Sequence, residues 1–209
     1  MAIFPGSAIP SAVSDYDIDN SLRFNSGDSG YLARTPTVAG NRKTWTFSAW
    51  VKRSLLGSGQ QIFEGRSDAN NRTYIDIGGS DRFGIKSITG GSTDVHLVTE
   101  AKYRDPSAWY HCLVKYDSTP ATPGSSNVSL YVNGEQATDL NLSNYPSQND
   151  ETWINNTVAH AVGRDGGDSA YLSGYLAEVY FIDGTALDAD SFGELDSDTN
   201  QWKPIDASG

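Results

Sequence analysis

The sequence predicts an all-β protein, a two-sheet antiparallel β-sandwich with one short helical turn near the C-terminus. Three observations lead to this fold class. Many short segments alternate apolar and polar residues, which is the period of a half-buried strand. Turn residues separate these segments at short intervals, and the chain contains 21 glycines. No long segment has helical periodicity, so the strand–helix alternation of a parallel sheet is missing.

The predicted strands lie between Leu22 and Ile182. The clearest is Thr44–Lys52, in which alternate residues are large and apolar and should face one side of a sheet. A second strong strand is Trp109–Tyr116, with Cys112 on its apolar face. The remaining predicted strands are Leu22–Phe24, Tyr31–Arg34, Gln61–Glu64, Thr73–Ile77, Arg82–Ile88, Asp94–Thr99, Val128–Val132, Val158–Val162 and Tyr175–Ile182.

Local signals predict two hairpins and the helical turn. Asn133-Gly134 is the strongest short hairpin signal and leads into Glu135–Gln136. Turn residues at 25–28 predict a hairpin between the first two strands. Asp188–Phe192 is the predicted helical turn, with Asp188 at its N-cap.

The chain divides into three parts. Residues 1–20 are predicted to be an N-terminal arm, residues 21–187 the β-sandwich, and residues 188–209 the helical turn and a tail. The arm has no lysine or arginine before residue 21, and prolines interrupt its apolar residues. It therefore matches neither a secretion signal nor a membrane span, and we expect synthesis in the cytosol or a signal outside this sequence.

The formal net charge of −11 restricts the partners. An acidic surface repels phosphate backbones and anionic lipids, so nucleic acids and membrane surfaces are poor partners. Cys112 is the single cysteine, so no disulfide can form within one chain.

Several segments carry motifs of a known family. They are Asp19–Asn25, Tyr31-Leu32, Gly40–Arg53, Trp109–Asp117, Ser129–Glu135 and Gly174–Leu187. Together they resemble concanavalin A-like/laminin-G-like domains, most closely those of structural proteins of marine bacteriophages. The resemblance extends from about Asp19 to Pro204, nearly the whole chain.

The resemblance implies a jelly roll of the concanavalin A-like lectin/glucanase type on a virion, in a tail fibre, a head fibre or a capsid decoration. The phage relatives usually continue past the position of Pro204, whereas this chain stops at Gly209. We therefore expect a compact decoration protein or an excised domain. The implied location is the virion surface after synthesis in the host cytoplasm. Other virion proteins, host surface glycans and further copies of the chain are the implied partners.

Catalytic motifs are weak in this sequence. Some related folds hydrolyse glycosides with spaced carboxylates on one strand, and Glu194 and Asp196 are the nearest fragment of that pattern. His111 and Cys112 are adjacent on one strand, so their side chains point to opposite faces, which does not suit a nucleophile pair. The sequence therefore predicts a non-enzymatic protein.

Two candidate binding regions remain. Sugar binding needs exposed aromatic rings beside amides and carboxylates, and the segment with Tyr145 and Trp153 has that composition. Trp50 and Trp109 are alternatives, although we expect them to pack in the core. Laminin-G-like domains often bind calcium at a loop rim.

The calcium candidate is the loop 163–168, where Asp165 and Asp168 could supply oxygen ligands. Alternatively, residues 163–168 form an ordinary surface loop that binds no metal. The sequence thus leaves three functions open: a phage virion surface protein, a calcium-assisted carbohydrate-binding receptor module and, less favoured, a polysaccharide hydrolase.

Overall fold

The computed structural model describes residues 16–207 and shows an all-β protein. Two short 3-10 helices, Ser26–Asp28 and Ala189–Ser191, accompany the strands. The strands are β1 (Leu22–Phe24), β2 (Leu32–Arg34), β3 (Thr44–Arg53), β4 (Gln60–Asp68), β5 (Asn71–Ile77), β6 (Phe83–Thr89), β7 (Ser92–Thr99), β8 (Tyr110–Asp117), β9 (Val128–Val132), β10 (Glu135–Gln136), β11 (Leu140–Asn144), β12 (Ala159–Val162), β13 (Gly174–Asp183), β14 (Gly193–Leu195) and β15 (Trp202–Pro204).

Two antiparallel sheets form the sandwich, which confirms the predicted fold class. The six-stranded sheet has the order β1-β13-β3-β8-β9-β10, and the seven-stranded sheet has the order β11-β7-β6-β5-β4-β12-β2. Strands β14 and β15 form a separate small hairpin. No helix among residues 16–207 is long and apolar enough to span a membrane.

The core lies between the inner faces of the two sheets. Trp45 stacks on Tyr116 with ring centroids 5.0 Å apart, and Phe47 stacks on Phe63 across the sandwich at 5.2 Å. Cys112 is fully buried in the same cluster. The alternation predicted for β3 and β8 is therefore confirmed.

The C-terminal segment covers part of the outer face of the six-stranded sheet. Phe192 and Trp202 pack there on Leu113 and His111. Trp202 Nε1 donates a hydrogen bond to His111 Nδ1 at 3.1 Å, and His111 Nε2 lies 2.8 Å from the Ser48 hydroxyl. His111 is thus a satisfied structural histidine, and the outer face of this sheet is partly occupied by the chain itself.

The structure confirms one predicted hairpin and corrects the other. Asn133 and Gly134 have φ angles of 51° and 80° and join β9 to β10, as predicted. The predicted hairpin of β1 with β2 is wrong, because β1 pairs with β13 and β2 pairs with β12. The 3-10 helix and left-handed Ser29 carry the chain from one sheet to the other.

The predicted helical turn near the C-terminus exists, but its predicted cap does not. Asp188 makes no side-chain capping hydrogen bond to the 3-10 helix. Its carboxylate instead accepts hydrogen bonds from Lys115 Nζ and Tyr131 Oη, both at 2.7 Å. Two cross-strand donors therefore compete successfully with the local N–H groups. Strands β11, β14 and β15 were not predicted.

Candidate functional site

The outer face of the seven-stranded sheet carries a row of polar side chains. Cross-strand pairing aligns Glu64 with Tyr74, Tyr74 with Lys86, and Lys86 with His96. Their sequence neighbours Ile75, Ile85 and Leu97 are buried in the core, so the row faces outward. We call this surface, with the adjoining outward residues, the polar face; it comprises Gln61, Glu64, Arg66, Arg72, Tyr74, Asp76, Lys86 and His96.

A glycine lies in the centre of this face. Gly84 pairs with Asp76 on β5 and with Val98 on β7. A Cβ atom at this position would lie 2.6 Å from the carbonyl oxygen of Leu97, so only glycine fits the close approach of the strands. Strand packing beside Asp76 therefore requires glycine at this position.

Glu64 is the most buried carboxylate of the polar face. Its Oε2 atom accepts a hydrogen bond from Gly166 N, and its Oε1 atom lies 3.6 Å from Arg72 Nη1. Burial raises the pKa of Glu64, while the Gly166 N–H and the guanidinium groups of Arg66 and Arg72 oppose this shift. Arg72 also lies over the Tyr74 ring, with 4.9 Å between Cζ and the ring centroid.

Several polar atoms of this face have no hydrogen-bond partner in the described part of the chain. Gln61 Oε1, Glu64 Oε1 and Arg72 Nε are fully buried and unpaired. The side chains of Lys86 and His96 also make no hydrogen bond to residues 16–207. Buried polar atoms are nearly always paired in folded proteins. These three atoms are enclosed by their neighbours, whereas the half-buried side chains of Tyr74, Lys86 and His96 reach the surface, where a polar ligand or solvent can contact them.

Burial shifts the pKa values of three titratable side chains on the polar face. It raises the pKa of Asp76 to about 7, although Lys86 and Arg72 lower it in part. It raises the pKa of the Tyr74 phenol to about 12. Burial, together with Lys86, lowers the pKa of His96. At neutral pH Asp76 is therefore partly protonated, and the neutral form of His96 is favoured.

The raised pKa of Asp76 predicts a pH-dependent stability. The native state keeps a proton on Asp76 that the unfolded chain loses near pH 4, so the free energy of unfolding should fall as pH rises toward 8. Since Asp76 is half-buried, we expect the free energy of unfolding to fall by about 1–2 kcal/mol between pH 5 and pH 8. This is less than the energy equivalent of the whole pKa shift. Urea unfolding of Asp76→Asn should lack this component, whereas the exposed control Asp198→Asn should keep it. An unchanged pH profile in Asp76→Asn would contradict the assignment.

The sequence-predicted aromatic residues lie outside the polar face. Tyr145 is half-buried and packs against the core. Trp153 is also half-buried; its Nε1 donates a hydrogen bond to Thr89 Oγ1 at 3.3 Å, and Arg42 lies over its ring at 5.6 Å. Trp50 is buried, as expected, whereas Trp109 is half-buried. The structure records no contact that joins Tyr145 to Trp153 within residues 16–207.

The loop 163–168 borders the polar face but does not suit calcium. Asp165 Oδ1 accepts hydrogen bonds from Gly167 N and Ser169 N, and its Oδ2 lies 3.6 Å from Arg66 Nη1 and 3.7 Å from Arg72 Nη1. A cation would have to displace two guanidinium groups from this carboxylate.

The second predicted calcium ligand points to the same conclusion. Asp168 is exposed and forms an ion pair with Arg164. Across residues 16–207, no group of three or more His, Cys, Asp or Glu side chains is arranged to hold a metal ion. Calcium binding by Asp165 and Asp168 stays a prediction from the sequence, and these donors do not support it.

Glu194 and Asp196, the partial match to the glycoside hydrolase pattern, form ion pairs in the structure. Glu194 lies on β14, and Lys203 on β15 is its cross-strand partner. Lys203 Nζ lies 3.1 Å from Glu194 Oε1 and 3.6 Å from Asp196 Oδ2. The two carboxylates thus share one ammonium group on the small hairpin.

Comparison with solved structures finds the same architecture in proteins of very low sequence identity. Domains LG4–5 of the mouse laminin α1 chain match with a TM-score of 0.55 and 12% identity, over 83% of this chain and 44% of that chain. Domain 4 of AbnA, a GH43 extracellular arabinanase from Geobacillus stearothermophilus, in complex with arabinotriose, matches with a TM-score of 0.53 and 18% identity, over 72% and 65%.

A third neighbour is the CBM40 of Ruminococcus gnavus IT-sialidase bound to α2,3-sialyllactose, with a TM-score of 0.51 and 15% identity, over 78% of this chain and 95% of that chain. Identities this low show a shared fold alone. A comparison with curated protein sequences finds no significant match. The sequence profile of the concanavalin A-like lectin/glucanases superfamily (Laminin_G_3) matches residues 25–191. Since this match covers most of the chain, the protein belongs to that superfamily.

Proposed function

We propose that this protein is a non-catalytic carbohydrate-binding module and that a glycan binds on its polar face. One observation carries the proposal: the half-buried side chains of Tyr74, Lys86 and His96 lie side by side in cross-strand register on an outward sheet face and present hydrogen-bond donors and acceptors there. Each sugar hydroxyl both donates and accepts hydrogen bonds, so a glycan can satisfy both kinds of group. The half-buried Tyr74 adds a ring and a hydroxyl to the same surface.

The shape of the surface agrees with a chain of sugar rings. The polar row crosses four neighbouring strands, which lie about 4.8 Å apart, so it is more than 14 Å long. A linear oligosaccharide of two or three sugar units can extend along this row, whereas a single small metabolite covers only part of its length.

The fold neighbours support this proposal. The arabinanase domain is described in complex with arabinotriose, and the CBM40 with sialyllactose, so this architecture holds sugars in other proteins. Two carboxylates are held by arginine: Glu64 on the polar face and Asp165 on the bordering loop both lie near Arg72. The cross-strand neighbours of Asp76 are Gln61 and Gly84, so neither is the second carboxyl that glycoside hydrolysis uses. This arrangement favours binding over hydrolysis.

A glycan microarray tests the proposal. The full chain should bind a defined group of polysaccharides or oligosaccharides, and binding should persist in EDTA because the polar face needs no metal. Binding that is lost in EDTA would instead favour the calcium loop at Asp165 and Asp168. An absence of binding to bacterial, algal and plant glycans would contradict the proposed function.

We further propose that the module is carried on the surface of a bacteriophage particle and contacts other virion proteins there. The support is the sequence resemblance, most of whose segments form β1, β3, β8, β9, β10 and β13 of the six-stranded sheet. Immunogold electron microscopy of intact particles tests this setting. Labelling of the capsid or the tail is expected, and particles without any labelled protein would contradict it.

A further inference from the structure

A second surface of the domain is apolar and lies at one open edge of the sandwich. A cleft of about 570 Å³ opens there between the two sheets. Phe63 and Val162 of one sheet and Phe181 of the other line its interior. Leu32 and Val38 stand at its mouth with 53% and 78% of their surface exposed. Exposed apolar residues grouped in this way are unusual on a monomer and indicate a docking surface.

The polar groups around the cleft are mostly satisfied. His160 Nε2 accepts a hydrogen bond from Asn155 N at 2.9 Å, and its Nδ1 donates to Val158 O at 2.8 Å. Asp183 accepts hydrogen bonds from Asn41 N and from Asn155 Nδ2. Apart from the exposed Arg34, which also lines it, the cleft therefore offers few polar groups to a glycan and favours an apolar occupant.

The strand beside the cleft has a free edge. β13 pairs with β3 along its length, but β1 covers its other edge only at Gly174, Tyr175 and Leu176. The later residues of β13, including the exposed Val179, have no strand neighbour on that side in the described chain. An unpaired strand edge offers hydrogen bonds to an extended segment.

The chain approaches this edge from its N-terminal side. Asn20 and Ser21, which precede β1, line a second cleft that shares Leu32 and Val162 with the first. Tyr16, further back along the chain, interacts with Glu178 of β13. Tyr16, the first residue that the structure describes, therefore lies beside the free edge of β13, and the second cleft links that edge to the apolar cleft.

The segment before Tyr16 has the composition of an apolar occupant. Its 15 residues include Ile3, Phe4, Ile9 and Val13, and its first charged side chain is Asp15. Pro5 and Pro10 favour extended backbone over helix. Ten extended residues span about 33 Å, which exceeds the distance from one face of a domain this size to its edge.

We propose that residues 3–13 of the N-terminal arm cross the free edge of β13 and fill the apolar cleft of their own chain. The docked arm would then cover the apolar residues at this edge of the sandwich. The polar face lies on the outside of the seven-stranded sheet, so this contact is separate from the proposed glycan site.

Engineered disulfides test the contact. Cys112 is fully buried, and burial raises its pKa to about 12, so introduced cysteines are the reactive thiols. Phe4→Cys, Ile9→Cys and Val13→Cys are each combined with Val38→Cys in the full chain and oxidised mildly. At least one pair should form an intrachain disulfide about five-fold or more above the same arm variant combined with Leu142→Cys on β11, because docking raises the local thiol concentration.

Two outcomes would overturn the proposal: yields equal to the Leu142→Cys controls for all three pairs, or disulfides only between two chains on a non-reducing gel. A deletion of residues 1–13 gives an independent readout. It should increase the fluorescence of a hydrophobic dye by exposing the cleft, and it should leave glycan binding unchanged. Unchanged dye fluorescence would contradict docking, and this result would not bear on the polar face.

Discussion

Tyr74→Ala is expected to weaken glycan binding by about 10- to 100-fold, or 1.4–2.7 kcal/mol. Tyr74 is the aromatic residue in the centre of the polar row, between Glu64 and Lys86. Its loss removes the ring and the hydroxyl together, and it frees the Arg72 guanidinium that lies over that ring. Isothermal titration calorimetry with the strongest glycan of the microarray measures the effect.

The control is Tyr175→Ala, the same change at a half-buried tyrosine on the outer face of the opposite sheet, where Tyr175 pairs with Lys52. This variant should bind within about two-fold of the wild type, since its site is remote from the polar face. Equal losses in Tyr74→Ala and Tyr175→Ala would show that the effect is general destabilisation.

Asp81→Asn is expected to destabilise the fold by about 3–5 kcal/mol, because it leaves the buried Arg53 charge without a counter-charge. Arg53 and Asp81 are 1% and 3% exposed, and Arg53 Nη1 lies 2.9 Å from Asp81 Oδ1. Asp81 also accepts hydrogen bonds from Gly57 N at 2.7 Å and from Arg104 Nε at 3.0 Å. Arg53 Nη1 also donates a hydrogen bond to the Tyr103 carbonyl oxygen at 2.9 Å, but Nε and Nη2 lack partners, so no second carboxylate compensates the charge.

Asparagine suits this test because Asp81 has a left-handed backbone with φ of 63°, which asparagine tolerates. Asparagine has nearly the same shape as aspartate, and its amide oxygen can still accept the hydrogen bond from Gly57 N. The variant therefore measures the effect of removing the negative charge alone. Urea unfolding measures the loss, and the double variant with Arg53→Met should recover part of it. A loss below about 1 kcal/mol would show that solvent reaches the pair.

The sequence predicted the sandwich well because strands and tight turns are encoded by residues that are close together in the chain. The alternation in β3 and the Asn133-Gly134 turn depend on neighbouring residues alone, and both were confirmed. The pairing of β1 depends on β13, which lies about 150 residues away, so turn residues at 25–28 led to the wrong partner. Asp188 was misassigned for a similar reason, since Lys115 lies distant in sequence.

The polar face was missed because it exists only through cross-strand register. Tyr74 and Asp76 occupy the outward positions of a strand that was predicted, and His96 does so in another. Their alternation with buried residues predicts the strands. It does not predict which residues of neighbouring strands lie side by side. Most segments that carry the family resemblance form the six-stranded sheet, so the resemblance describes the scaffold and leaves the ligand-binding surface open.

Chemical-shift mapping by NMR tests the central claim most directly. The amide resonances of the uniformly labelled full chain are recorded as the strongest microarray glycan is added. The polar-face account predicts that the largest changes fall on β4, β5, β6 and β7, with Glu64, Tyr74 and Lys86 among them. Changes centred on Tyr145 and Trp153, or on the apolar cleft at Phe181, would contradict it.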